Sequence, residues 1–152
     1  MAVPDSEIEG GWIEMNDQVK HLELIQAVIN RLAQNSFSYK GWAITLVAAL
    51  FALGAKESSP QYLLVALLPT IVFWGLDAYY LRQERLFRKF YDSVRVMPHE
   101  GWTRNPFSMD TSPYNDQVAT WWKVCWSNTI GWLYGPMVLV ISIVTSLAFA
   151  WR

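Results

Sequence analysis

The stretch of sequence that decides the fold lies at residues 72–85 and reads VFWGLDAYYLRQER. Its first half continues an apolar run in which no charged residue occurs between Glu57 and Asp77, and its second half is densely charged. An apolar run of about 20 residues is typical of a transmembrane helix. The stretch therefore predicts a helix that leaves the membrane and continues into an aqueous compartment.

Two further charge-free runs predict two more spans. One lies between Lys40 and Lys56, and the other extends from Val124 to Trp151. The chain is 53% hydrophobic and 16% charged, which is more apolar and poorer in charge than an ordinary soluble domain. We predict an all-α fold, an integral membrane helical protein with three transmembrane helices and additional cytoplasmic or interfacial amphipathic helices. For the first, short run alone, a buried soluble helix is the alternative.

The hydrophobic pattern and the turn-forming residues divide the chain into six segments. We predict a disordered N-terminus at 1–15, an amphipathic cytoplasmic helix at 16–37, a two-span hairpin that continues into a cytoplasmic helix at 38–96, a loop at 97–113, a Trp-rich interfacial helix at 114–127 and a third span at 128–152. Inside the second span, Pro69 lacks the N–H that would bond the carbonyl of Val65, so we expect a kink there. The 97–113 loop is long, and we expect it to be ordered against a partner or to be a mobile functional element.

The distribution of positive charge predicts the orientation of the protein. Five basic residues follow the second span, whereas the loop at 56–60 carries one positive charge. The basic residues are Arg82, Arg85, Arg88, Lys89 and Arg95. By the positive-inside rule, the N-terminus and the middle segment lie in the cytoplasm. We therefore expect a multi-pass membrane protein with a cytoplasmic N-terminus.

A narrow apolar seam runs along the predicted helix at 16–37. Its residues recur at a three-four-three spacing and are Leu22, Ile25, Ile29 and Leu32. This is the spacing of a helix that packs on another helix, so we predict a seam for a partner or for further copies of the chain. Adsorption to the membrane surface is the alternative, because Leu24 and Val28 widen the stripe.

Asp77 is the strongest single candidate for a functional residue, because an ionisable group at the end of a span is costly if it faces lipid. We favour a hydrated position at the membrane interface, and the alternative is a pore-facing or intersubunit position. The basic residues Arg82, Arg85, Arg88 and Lys89 could form a charge ring if subunits surround an axis. They could equally anchor the helix to anionic headgroups.

Signatures of catalysis are absent from the sequence. His21 and His99 are far apart, Cys125 is the only cysteine, and no phosphate-binding loop or nucleophile elbow occurs. We therefore expect no enzyme activity, no catalytic residue, no metal site and no cofactor. The net charge of -1 gives no general case for nucleic acid binding, so we expect no nucleic acid partner.

Three stretches of the chain resemble a group of small uncharacterised bacterial membrane proteins. They read NRLAQNSF at 30–37, KGW at 40–42 and DAYYLRQERLFR at 77–88, and the resemblance covers residues 22–96. In layout the chain is also similar to the SLATT class of two-span effector domains. That resemblance implies a role in nucleotide signalling or antiphage defence, where the class is presumed to perforate the inner membrane. The third span, from Val138 onward, departs from the two-span pattern, and the resemblance implies no active-site residues.

Two hypotheses for the function follow. Small residues recur in the first and third spans, among them Gly41, Ser142 and Ser146, and small faces let helices pack closely in lipid. The first hypothesis is therefore a homo-oligomer that forms or gates a pore, and the resemblances imply that it is an effector of the bacterial inner (cytoplasmic) membrane in antiphage defence. The alternative is a non-conducting adaptor that anchors and regulates a soluble cytoplasmic signalling or defence protein. Both have the lipid bilayer as a partner.

Overall fold

A computed structural model describes residues 5–56 and 61–150. Its elements in chain order are α1 (Asp5–Lys56), α2 (Gln61–Val65), α3 (Leu67–Val96), α4 (His99–Trp102), a 3-10 helix (Ser112–Gln117), α5 (Trp121–Cys125) and α6 (Asn128–Ala150). Within these residues the protein has no β-strand. Three helical stretches are long and apolar enough to cross a membrane, and they are Asn16–Lys56, Leu63–Val96 and Asn128–Ala150. The predicted all-α class with three transmembrane helices is confirmed.

Helix α1 begins earlier than the sequence pattern predicts. We expected disorder over 1–15, but the structure places residues 5–15 in α1. Glycines at 10 and 11 each cost a helix about 1 kcal/mol relative to alanine, which weakens a helix without ending it. The remaining part of the prediction, residues 1–4, lies outside the described residues, as do 57–60 and 151–152.

The second span is interrupted where Pro69 predicts it. The α-helical pattern breaks at Ala66, between α2 and α3. Proline has no N–H to bond the carbonyl of Val65, so one bond of the helical ladder is lost at this turn, and the α-helix resumes at Leu67. The hydroxyl of Thr70 donates a 2.8 Å hydrogen bond to the carbonyl of Ala66, which is fully buried. This bond links the first turn of α3 to the residue at the break.

The chain divides into two compact units, and α1 and α3 each contribute residues to both. The first unit consists of Met1–Arg31 and Glu84–Val118, and the second consists of Leu32–Gln83 and Ala119–Arg152. The second unit contains α6 and two apolar clusters. The larger cluster is formed by the buried residues Ala43, Ala78, Val124, Cys125, Ile130 and Tyr134, and the smaller one by Val47, Ala66 and Ile141.

The core of the first unit corrects the predicted oligomer or partner seam. Ile25 and Ile29 are buried inside their own chain, against Phe90, Val94 and Trp102. Leu22 packs on the same cluster, whereas Leu32 is half-buried in the second unit. The heptad-like spacing correctly indicated that this face is covered, but the C-terminal part of α3 covers it. These isoleucines are therefore not available to another protein.

The 97–113 loop is ordered by its own chain. His21, on α1, has its Nε2 atom 2.8 Å from the carbonyl oxygen of Ser108. Trp102, on α4, donates a 2.9 Å hydrogen bond from Nε1 to Nδ1 of the same imidazole. Phe107 adopts a φ of 57°, which an L-residue rarely does, and its ring packs on both His21 and Trp102. We expected order against a partner or mobility, and this loop has its partner within the first unit.

The segment at 114–127 is not one helix. Pro113 lies in the first turn of the 3-10 helix, and that helix ends at Gln117. Val118 is extended and buried in the first unit, and α5 then begins at Trp121 in the second. The predicted helix is therefore divided at the boundary between the two units.

We predict that Ile25→Ala destabilises the first unit by about 2–4 kcal/mol, because it removes buried methyl groups and leaves a cavity. Leu24→Ala is the matched control, since Leu24 is 49% exposed on the same turn of α1, and it should change the stability by less than about 0.5 kcal/mol. Hydrogen exchange of the purified protein in detergent measures both. Equal protection in the two variants would contradict the assigned core.

Candidate functional site

A buried ion pair lies among the helices of the second unit. The side chain of Asp77, on α3, is fully buried, and that of Lys40, on α1, is 23% exposed. The Lys40 Nζ atom lies 2.7 Å from Oδ1 and 2.7 Å from Oδ2 of the carboxylate. We expected Asp77 to be hydrated, with a pore-facing or intersubunit position as the alternative. In the structure its partner is a lysine of the same chain.

Two hydroxyl groups complete the surroundings of the carboxylate. Ser36, one turn before Lys40 on α1, donates its hydroxyl hydrogen bond to Oδ1 of Asp77 and is also 2.8 Å from the Lys40 Nζ atom. Tyr134, on α6, is fully buried and interacts electrostatically with Asp77. Spacing of four residues places Ser36 and Lys40 on one face of α1. Three different helices therefore contribute polar groups to one buried cluster.

The cluster satisfies a strict requirement of the membrane. An isolated charge in a low-dielectric environment is very costly, and a buried ion pair is tolerated only when the geometry is good and extra hydrogen bonds are present. Lys40 neutralises Asp77, and Ser36 adds a further donor. The pair therefore holds α1 against α3 in one register, because any slip would separate the charges or expose them to lipid.

Aromatic side chains surround the cluster on α1 and α3. Tyr39, next to Lys40, packs on Trp42, Phe73 and Tyr80, with ring centroids 5.1–6.0 Å apart. Aromatic rings with a polar tip are favoured at the boundary between lipid and water. Their position indicates that the charged cluster lies near the end of the spans.

Two tryptophans attach the short helix α5 to α3. Trp121 donates a 3.1 Å hydrogen bond from Nε1 to the carbonyl oxygen of Gly75, and Trp74 donates a 2.9 Å bond to the carbonyl oxygen of Cys125. A Cβ at Gly75 would lie 3.4 Å from the Trp121 ring, which is close to ordinary van der Waals contact, so the two groups are closely packed. The same tryptophan, Trp74, stacks on Tyr134 of α6 with an interplanar angle of 1°. The indole N–H groups of these two tryptophans thus form the hydrogen bonds that join α5 to α3.

The four basic residues of the predicted charge ring are divided between the two units and have different surroundings. In the second unit, Arg82 donates a 3.3 Å hydrogen bond from Nε to the carbonyl oxygen of Ala119. In the first unit, Arg88 forms a 2.7 Å ion pair with Glu84. Arg85 is half-buried and Lys89 is exposed. A role for these four residues in a pore or between subunits stays a prediction.

Helix α6 carries a stripe of small and hydroxyl-bearing residues on an exposed face. Gly135, Ser142 and Ser146 recur at helical spacing and are exposed, and Leu139, which is also exposed, lies between Gly135 and Ser142 on the same face. Each serine hydroxyl donates a 2.8 Å hydrogen bond to the backbone carbonyl four residues earlier. The donors are therefore satisfied, while the hydroxyl oxygens still offer acceptors. We call Gly135, Ser142 and Ser146 the α6 stripe.

The sequence pattern indicated Asp77 but not Lys40, Ser36 or Tyr134. The sequence does contain a signal for Lys40. Lys40 precedes one charge-free run, Asp77 follows the next, and the two runs are joined by the short loop at 56–60. In an antiparallel hairpin, runs of similar length return to a similar depth, which places the two opposite charges side by side. Nothing in the sequence pattern indicated that Tyr134 would face them.

We predict that Lys40→Met destabilises the protein by about 3 kcal/mol, because it leaves a buried carboxylate without its counter-charge. Adding Asp77→Asn to that variant should restore part of the lost stability, since no charge then remains to be compensated. Lys123→Met, at an exposed lysine of the same unit, is the matched control. Denaturant unfolding of the purified protein in mild detergent measures all three. A Lys40→Met variant as stable as the control would show that the ion pair has no structural role.

Comparison of the chain with known proteins found no match among protein-family models, curated proteins or solved structures. The resemblance in layout to SLATT domains therefore stays a prediction. A function has to be inferred from the residues of this chain, chiefly from the buried Lys40–Asp77 pair and the exposed α6 stripe.

Proposed function

We propose that the protein is an oligomeric inner-membrane effector that forms or gates a pore. The observation that supports this most strongly is the α6 stripe, which is exposed on the surface of a span, whereas Asp77 of the same unit is buried and paired with Lys40. A face of small residues allows close helix packing in lipid, and hydroxyl oxygens can line a path for water. The stripe is suited to both purposes.

Several copies are needed for such a pore. In the most apolar 18-residue windows of the three spans, 17%, 28% and 17% of the residues are buried within the chain. One chain therefore leaves most of its span surface open to lipid or to other copies, and three helices enclose little space. A ring of chains with α6 facing the axis would bring the serines of each copy together around a common path.

The Lys40–Asp77 pair holds α1 and α3 in a fixed register within each copy. The pair neutralises the charges of the hairpin inside the chain, so α1 and α3 need not place a charge in the path. Pore opening would then depend on how the copies of α6 are arranged around the path.

The setting of the proposed activity comes from the sequence. The excess of basic residues after the second span supports a cytoplasmic N-terminus and a bacterial inner membrane. A role in antiphage defence rests on the resemblance in layout to SLATT domains alone. The signal that would trigger the pore is then a cytoplasmic one, received by the first unit.

We predict that the double variant Ser142→Leu and Ser146→Leu abolishes most of the membrane leakage caused by the wild-type chain. Leucine side chains fill the stripe and raise the barrier to water along it. Dye release from liposomes that contain the purified chain measures the effect, and a potential-sensitive dye reports it in cells.

The matched control is Val140→Leu with Val144→Leu. These residues lie on the same helix at nearly the same depth but on another exposed face, so the control should leak as the wild type does. Liposomes that stay sealed with the wild-type chain, together with a strictly monomeric protein in lipid, would contradict the proposal.

A second candidate function is a non-conducting adaptor that binds a soluble cytoplasmic protein. It is favoured by a surface groove of about 420 Å³ on the first unit, lined by Val19, Leu22, Glu23, Gln26, Ala27, Asn30 and Tyr91. Val19 is 47% exposed beside this groove, which leaves apolar surface for a partner helix.

We predict that, if the adaptor function holds, Val19→Asp with Ala27→Asp removes a co-purifying soluble protein and leaves the fold intact. Leu24→Asp is the control, because Leu24 is exposed and does not line the groove. Quantitative affinity purification from the native host compares the three proteins. Leakage from liposomes that hold the chain alone would contradict the adaptor function.

A further inference from the structure

The first unit contains an open cavity of about 190 Å³ beside the ordered loop. Its lining includes the aromatic residues Phe90, Trp102 and Tyr114, the aliphatic residues Val94, Met97 and Pro113, and the polar residues His21, Asn105, Ser108 and Asp110. Trp102 is buried, whereas Asn105 and Asp110 are exposed at the rim. The cavity thus combines a largely apolar and aromatic body with polar groups where it meets solvent.

The hydrogen bonds of His21 determine which residues of the cavity lining carry a charge. His21 accepts a hydrogen bond at Nδ1 from Trp102 and lies 2.8 Å from the Ser108 carbonyl at Nε2. Only the neutral tautomer with a proton on Nε2 satisfies both partners, because a proton on Nδ1 would point at the indole N–H. Asp110 is therefore the one residue of the lining with a formal charge.

Asp110 is held in its charged form by its neighbour. The side chain and the backbone N–H of Ser112 hydrogen-bond the carboxyl group and lower the pKa of Asp110 below its ordinary value. One carboxylate oxygen, Oδ1, accepts the 2.9 Å bond from the Ser112 N–H. Asp110 is exposed, so its carboxylate remains accessible from solvent. Tyr114 has its hydroxyl bonded to Ser93 at 2.7 Å, so it contributes its ring rather than its hydroxyl group.

We propose that this cavity binds a small organic cation, with an ammonium group at Asp110 and an apolar or aromatic body between Phe90, Trp102 and Tyr114. Aromatic faces attract cations, and a carboxylate at the rim adds a charge-assisted hydrogen bond. The cavity is smaller than the 300–1,000 Å³ or so of drug-sized pockets, so the ligand is the size of a simple amine. The proposal concerns the first unit alone and does not depend on pore formation by α6.

Other ligand classes fit the lining less well. An anion would meet the carboxylate of Asp110 with no basic residue in the lining to compensate it. A purely apolar molecule would leave that carboxylate partly desolvated and unpaired, which is unfavourable. A cation is the class that satisfies both the charge and the aromatic walls.

The test uses the full-length protein in lipid nanodiscs and isothermal titration calorimetry. The probe is 2-phenylethylammonium, and the comparison probe is 3-phenylpropanoate, which has a similar shape and the opposite charge. We expect saturable binding of the cation with at least about tenfold higher affinity than that of the anion. Because both probes are applied to the wild-type protein, this comparison does not depend on the folding of any variant.

The variant Asp110→Asn removes the charge and keeps an oxygen that can accept the Ser112 N–H, so the turn should persist. We expect it to weaken binding of the cation about tenfold or more. Asp116→Asn is the matched control, since Asp116 is exposed in the same unit and does not line the cavity, and it should bind as the wild type does. Absence of cation binding by the wild type, equal or tighter binding of the anion, or unchanged affinity in Asp110→Asn would each overturn the proposal.

Discussion

The ion pair between Lys40 and Asp77 is the interaction on which the membrane-spanning unit depends. Either charge alone at this position would face a low-dielectric environment, and only their direct contact at 2.7 Å makes both tolerable. The pair fixes the register of α1 against α3, and Ser36 supports it from the preceding turn of α1. The positions of Tyr134, Trp74 and Trp121 follow from that register, because their side chains pack around the same stretch of α3.

With these charges paired inside the chain, the outer surface of the spans is free for other contacts. Apolar residues such as Leu68, Ile71 and Leu147 are exposed there, which suits lipid and would be a liability in water. The α6 stripe differs from this surface because it offers small residues and hydroxyl oxygens. The contrast between a paired, buried charge and an exposed hydroxyl face is the physical basis for proposing α6, rather than Asp77, as the element that would line a pore.

The sequence predicted the spans, the break near Pro69 and the covered seam, because each follows from local properties such as hydrophobic length, a missing N–H and helical period. It did not predict what covers Ile25 and Ile29, since periodicity shows that a face is buried and not against which element. In the sequence, Lys40 only precedes a charge-free run, and Asp77 by itself fits a hydrated position at the membrane interface. Their pairing depends on two charge-free runs of similar length on either side of the hairpin loop. A stretch of sequence that covers one run does not contain the other.

The loop at 97–113 is the least predictable region, because its contacts are with a residue far away in the sequence. Trp102 and Ser108 are fixed by His21, which lies more than 80 positions earlier in the chain. Prolines and glycine in this segment indicate only the absence of a long helix. Tertiary contacts to one imidazole turn the segment into the wall of a cavity whose charge is set by Asp110. A binding site made this way leaves no motif in the sequence, so its ligand class has to be read from the tautomer of His21 and the charge at the rim.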